Sequence, residues 1–205
     1  MKTVNFTAMK DGSKEEYEFL RTQEHAFNTM TAERILRELA SQAEDTIGGY
    51  KITRLQHALQ TATRAELDFA DNDHADTDWI VAALLHDIGD GLAPQNHDKM
   101  AAEIIRPFVR EEVSWVVEHH GAFQMVYYAH HYEGWNQYER EKYKDSPYYQ
   151  SCVDFCERWD QSSFDPDYNM YPLEHFEPMV REVFDRKAFD ESVVQPGVVR
   201  GLPAI

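Results

Sequence analysis

The run WIVAALL, Trp79 to Leu85, is apolar at every position and ends abruptly on His86-Asp87. An apolar stretch of this kind, beginning near Thr77, predicts a helix buried on all sides. Buried helices tolerate titratable side chains badly unless those groups have partners. The chain repeats the pairing at His97-Asp98, eleven residues further on, after the Gly-rich IGDGLAPQN. Helix ends that carry imidazole and carboxylate must meet something, and this demand constrains the fold more than any other feature.

The rest of the chain reads as further helices. SKEEYEFLRTQEHAF has Ser13 as its cap. TAERILRELASQA has Thr31 as its cap and Ile35, Leu36, Leu39 and Ala40 as its apolar stripe. Gly48-Gly49 marks a loop. A helical pattern runs from Ile52 to about Phe69, with Leu55, Ala58, Leu59, Ala62 and Leu67 inward and His57 among them. HDKMAAEII and REEVSWVVEHHG follow, with Pro107 in the first turn of the latter and Gly121 ending it. AFQMVYYAHHY, YYQSCVDFCERWD and LEHFEPMVREVFDR also read as helical, QYEREKYKDSP as exposed, and the tail from Pro196 as aperiodic. No period-2 stretch, repeat or coiled-coil pattern competes. The expected fold class is all-α, as one domain over residues 1–205.

Acidic residues outnumber basic ones 37 to 20, for a formal net charge of -17. Such a surface repels nucleic acid and anionic lipid, so neither is expected as a partner. An anionic substrate would need a local positive site. Cys152 and Cys156, four apart, read as small core residues on one helix face. No signal-like segment or 18-residue apolar stretch is present, so a cytoplasmic location is expected.

His57, His86-Asp87, His97, His119-His120 and Asp160 come from different helices, and a bundle can bring them to one point. Imidazole nitrogen with carboxylate oxygen suits iron, manganese or zinc, and the lack of nearby thiolates argues against a structural zinc site. Six such ligands exceed what one metal with an open position needs and match two metals bridged by one carboxylate. Successive helical residues point about 100° apart, so one of a His-Asp pair can hold a metal while its neighbour bridges. No nucleophilic triad, phosphate loop or dinucleotide fingerprint competes.

LQHALQTA, ALLHDIGDGL, NHD and ERWDQ resemble the HD superfamily, whose pattern is a His, then His-Asp, then a distant Asp. Here these are His57, His86-Asp87 and Asp160, and the resemblance spans about residues 48–181, the expected metal-binding core. With His97 and His120 added, the layout is similar to the two-metal members, myo-inositol oxygenase and the diiron oxygenases that cleave hydroxylated organophosphonates. LQHALQTA and RWD look particularly like the latter. The resemblance implies an HD-domain helical bundle with a dinuclear site. In it His57, His86 and Asp160 bind one iron, His97 and His120 the other, and Asp87 bridges as the catalytic residue. His119 is the rival of His120. The implied cofactor is a mixed-valent Fe(II)/Fe(III) pair, with Mn or other divalent metals as the alternative. The implied partners are O2 and a small hydroxylated substrate, one candidate being a (trimethyl)amino-hydroxyalkylphosphonate. IIRPFV, VVEHHGAFQ, SFDPDY and LEHFEPMVREVF also resemble HD proteins regarded as phosphohydrolases. The alternative is therefore a metal-dependent phosphohydrolase acting on a nucleotide or small phosphoester. The sequence does not specify an oligomeric state.

Several positions depart from the phosphonate-cleaving pattern. Ile47 and Tyr50 stand where those relatives carry the Tyr and Glu that cover the vacant iron. Asp90 replaces a cationic or imidazole group, Gln124 a lysine and Glu157 an arginine. The changes suit a substrate with a cationic end, for which Asp90, Tyr127, Tyr128 and Glu157 are candidates, with Gln124 and Tyr50 as further expected substrate contacts. The tyrosines serve equally well as core aromatics with a polar tip. Lys99 and Arg158 remain as candidate anion contacts, and Arg158 alternatively pairs with a carboxylate. His130-His131 lies past the expected site. His25, His74 and His175 read as surface or packing residues.

Overall fold

The structure is a computed structural model and describes residues 2–44, 48–70 and 76–203. Ile47 and His74 lie outside the described residues. Among the described residues all regular structure is helical. The α-helices are α1 (Lys14–Asn28), α2 (Thr31–Ser41), α3 (Arg54–Ala70), α4 (Thr77–Leu85), α5 (His97–Ile105), α6 (Glu111–Tyr128), α7 (Tyr149–Phe155), α8 (Leu173–Phe184) and α9 (Glu191–Val194).

Helix α4 is the axis of the bundle. Every residue from Asp78 to Leu85 is buried, because α3, α6 and α8 pack around it. Encirclement explains how a helix without a polar face is kept from solvent. α5 and α7 pack on α6, and α2 packs on α3 and α8. Between α3, α4 and α7, the rings of Trp79, Phe155 and Trp159 meet with centroids 5.5 to 6.5 Å apart. Their indole N–H groups are satisfied, Trp79 by the Gly201 carbonyl at 3.2 Å and Trp159 by Asp68 at 2.5 Å. Truncating a fully buried ring such as Phe155 to alanine costs about 3–5 kcal/mol.

Ser13 caps α1 as expected, in a reciprocal capping box with Glu16. Thr31 does not cap α2. It is the first helical residue, and its hydroxyl donates to the Asn28 carbonyl at 2.7 Å. Ile35 and Leu39 are buried as expected, but Ala40 is exposed and Ala32 takes its place inside. Leu67 is exposed on α3. Gly121 does not end α6, which runs on to Tyr128. A mid-helix glycine costs only about 1 kcal/mol relative to alanine, and packing on α5 and α7 outweighs that. Pro107 lies in the turn before α6 rather than in its first turn, and its carbonyl accepts the Phe189 N–H at 2.7 Å. The aperiodic tail is held in place by two glutamates of α6. Gly197 N–H donates to Glu111, and the N–H groups of Arg200 and Gly201 donate to the fully buried Glu112. No described helix is long and apolar enough to cross a membrane.

Candidate metal centre

The ends of these helices supply the expected cluster. His57 lies in the first turn of α3, His86 directly after α4, Asp87 in the turn that follows, His97 at the first position of α5 and His120 within α6. Asp160 does not close an ordinary α-helix. It ends a π-helical turn, Cys156–Asp160, in which the Gln161 N–H reaches back five residues to the Cys156 carbonyl at 3.0 Å. Such underwound turns re-aim a side chain and recur at functional sites. Here the Asp160 carboxylate ends fully buried beside His57 and His86.

Each histidine is fixed through Nδ1 by a backbone carbonyl. The acceptors are Ser163 for His57 (2.9 Å), Ala83 for His86 (2.8 Å), Pro94 for His97 (3.3 Å) and Val117 for His120 (2.6 Å). A carbonyl can only accept, so Nδ1 carries the hydrogen and Nε2 is left facing the cluster. This is the tautomer that a metal-binding imidazole needs.

The Nε2 atoms fall into two groups around Asp87. Oδ2 of Asp87 lies 3.4 Å from both His57 and His86, whose Nε2 atoms are 3.2 and 3.4 Å from Oδ1 of Asp160. Oδ1 of Asp87 lies 3.2 Å from His120 and 3.3 Å from His97. Donor atoms sharing one metal at about 2.1 Å are separated by roughly 3.0–3.4 Å, so the spacing fits a cation in each group. Two further observations agree. The Nε2 atoms of His57 and His86 face each other at 3.1 Å, an arrangement that needs a cation or a proton between them. Asp160 Oδ1 is buried without a hydrogen-bond partner among the described residues.

The cluster attracts positive charge. Burial pulls the His57 pKa down, but the Asp160 and Asp87 carboxylates outweigh it and raise it to about 10. Burial likewise opposes, and the same carboxylates raise, the pKa of His86. Burial pushes Asp160 and Asp87 upward, yet the surrounding imidazoles hold both below the usual carboxylate range.

The other expected site residues divide. A cavity of about 170 Å³ opens onto the cluster and is lined by Tyr50, Asp90, Gln124 and Tyr128 among others. Gln124 donates its amide N–H to Asp160. Asp90 is turned toward protein partners, with Oδ2 2.9 Å from Arg54 Nε and Oδ1 3.3 Å from His97 Nδ1. An adjoining chamber of about 390 Å³ shares Tyr50, Gln124 and Tyr128 and adds Tyr127, whose hydroxyl pKa burial pushes up to about 12. Lys99 and Arg158 are not brought to the cavity. Lys99 is exposed and outside its wall. Arg158 is anchored by Asp68 at 2.6 Å and the Pro203 carbonyl at 2.9 Å, the carboxylate pairing considered as its alternative. Glu157 is exposed and outside both linings.

His119 lies apart from the cluster, stacked on Trp115 at 4.1 Å with Nδ1 on the Trp115 carbonyl. His130 and His131 are exposed, with their rings tilted against each other at 4.0 Å. His175 pairs with Glu66, and His25 is exposed. Arg54 and Phe164 are among the wall residues that the sequence does not single out. Arg54 precedes His57 by three positions and so shares its helix face, a signal that could have found it. Phe164 stacks on His57 at 4.5 Å and on Tyr50 at 5.5 Å, and nothing in its loop sequence announced that.

Among known proteins, the family model of the HD domain matches residues 54–159, just over half of the chain. The match begins at Arg54 and stops one residue short of Asp160. No curated protein matches the chain. HD domains are generally metal-dependent enzymes, and the clustered imidazoles and carboxylates could hold metal as that requires. With a matched segment that carries His57, His86-Asp87, His97 and His120 on an all-helical bundle, the chain belongs to the HD-domain family.

Proposed function

We propose that the chain is a two-metal oxygenase that uses O2 to oxidise and cleave a small hydroxylated molecule. His57, His86 and Asp160 would hold one iron, His97 and His120 the other, with Asp87 bridging. The observation that carries the reading is the position of Asp87, whose two carboxylate oxygens face different pairs of imidazoles. The domain is proposed to span 1–205, with its metal-binding core at about 48–181.

A bound iron pair supplies O2 binding and one-electron chemistry. The chain's own part is orientation and exclusion. The backbone carbonyls hold the four imidazoles. Gln124 fixes the outer oxygen of Asp160. Phe164 and Tyr50 cover His57 as a stack, and the apolar wall of α4 keeps water from behind the cluster. The inner cavity of about 170 Å³ suits a small reacting group, and the Tyr-lined chamber beside it accepts the remainder of the molecule. Neutral phenols and the negative overall charge favour a cationic end there, as in a (trimethyl)amino-hydroxyalkylphosphonate.

One observation favours a second reading. Arg54, whose Nε meets Asp90 at 2.9 Å, brings positive charge to the cavity wall, which would suit a metal-dependent phosphohydrolase acting on a nucleotide or small phosphoester. A single preparation separates the two. Protein purified without oxygen is loaded with iron, partly oxidised and examined by electron spin resonance, and then given candidate substrates. A coupled Fe(II)/Fe(III) signal with substrate-dependent O2 uptake supports the oxygenase. Phosphate release under anaerobic conditions without that signal overturns it in favour of hydrolysis.

A further inference from the structure

We propose that Asp90 is a positioning residue for His97, and that Arg54 holds Asp90 in place. This rests on the two-metal reading and distinguishes the two positions within it. His57, His86 and His120 donate Nδ1–H to backbone carbonyls at 2.6 to 2.9 Å. His97 differs. Its carbonyl acceptor, Pro94, is 3.3 Å away, and Asp90 Oδ1 lies at the same distance from the same nitrogen. The other oxygen of Asp90 meets Arg54 Nε at 2.9 Å.

A chain of contacts therefore runs from the first residue of α3 through Asp90 to His97, and from His97 Nε2 to Asp87 at 3.3 Å. A carboxylate behind a metal-facing imidazole fixes its ring and makes its free nitrogen a stronger donor. The turn is built to keep Asp90 there. A Cβ on Gly89 would meet the His97 backbone at 3.0 Å, so the His-Asp turn and the start of α5 are in direct contact. Asp90 thus serves the position held by His97 and His120, while the position held by His57, His86 and Asp160 has its own anchors. Asp90 is oriented toward the imidazole and the guanidinium, which differs from the substrate-contact role expected from sequence.

The test is stepwise titration of the metal-free full chain with Co(II), without oxygen, followed by its visible absorption. The native chain gives two uptake steps. Asp90→Asn, nearly isosteric, weakens one step by about 10- to 100-fold and leaves the other within about twofold. Arg54→Gln weakens the same step by a smaller factor, and this variant serves should Asp90→Asn fold poorly. Two unchanged steps, or an equal loss in both, overturn the proposal. A single step in the native chain overturns the two-metal reading itself, and so tells that failure apart from this one.

Discussion

The two ends of helix α4 both bury charge, and they handle it in opposite ways. At the start of α4, Asp76 and Asp78 meet Arg110 at 2.7 and 3.1 Å, and Asp78 meets Arg186 at 2.5 Å. Arg186 also reaches the Phe108 carbonyl at 2.9 Å. Two guanidiniums answer two carboxylates beside a cavity of about 640 Å³, so the charges balance even though Arg110 Nε has no hydrogen-bond partner among the described residues. At the far end, Asp87 and Asp160 face imidazoles whose Nδ1 hydrogens are committed to the backbone. The first set is electrically complete from protein alone. The second answers its carboxylates with imidazole rings alone, an arrangement suited to receiving cations. Completeness, not burial or cavity size, separates a structural charge cluster from one built to receive something.

Removing a carboxylate should therefore have different consequences at the two ends. Asp87→Ala takes away the group shared by both sets of imidazoles. If the proposed two-metal site is right, metal content should fall from about two ions per chain toward zero, and turnover by more than the roughly 100-fold typical of losing an outer partner. Elemental analysis beside a thermal melt checks this. A variant that keeps two metals would erase the contrast. Arg110→Met is the mirror experiment. It strands Asp76 and leaves Asp78 Oδ2 with only the residue-110 backbone N–H, costing about 3–5 kcal/mol, or roughly 10 °C in a chain of this size. Metal uptake per folded chain should not change.

The pH response sharpens the same contrast. His57 has a folded pKa raised from 6.5 to about 10. Its imidazolium stabilises the metal-free fold fully below pH 6.5, and that contribution is lost as pH rises toward 10. Metal-free protein should lose stability across this window, while metal affinity rises as the competing proton leaves. Denaturant melts and metal titrations at pH 6.5, 8 and 9.5 test both directions. Gly89→Ala has a smaller, local effect. The added methyl presses on the His97 backbone, weakening uptake by His97 and His120 by about 10-fold with little change in melting. Smallest of all is Lys99→Ala. An exposed side chain outside the cavity wall should shift stability by less than about 0.5 kcal/mol and leave KM unchanged.

The helical architecture was legible because the apolar pattern is strong, and the cluster because its members interrupt that pattern at helix ends. His86-Asp87 stops a run that has no other polar residue after Asp78. The choice between His119 and His120 was also written in the sequence. Val113, Val116, Val117 and His120 keep the spacing of one buried face, and His119 falls out of step beside Trp115. Side-chain direction was less legible. Lys99 and Arg158 sit near the right elements in sequence, but rotation about the helix axis carries both away from the cavity. Asp90 was found as a position but not as a partner, since its contacts come from Arg54, 36 residues earlier, and from His97. Phe164 and the Ser163 carbonyl belong to a loop whose path depends on the π-helical turn before it, which no periodicity announces.

The backbone carbonyls behind the four imidazoles divide the labour within each ring. One nitrogen is spent on the protein's own framework, and the other is left to the cluster. A proton and a metal ion therefore compete for the same inward nitrogen of His57, where two carboxylates draw positive charge of either kind. Metal binding there would be an exchange of cations, not a simple addition.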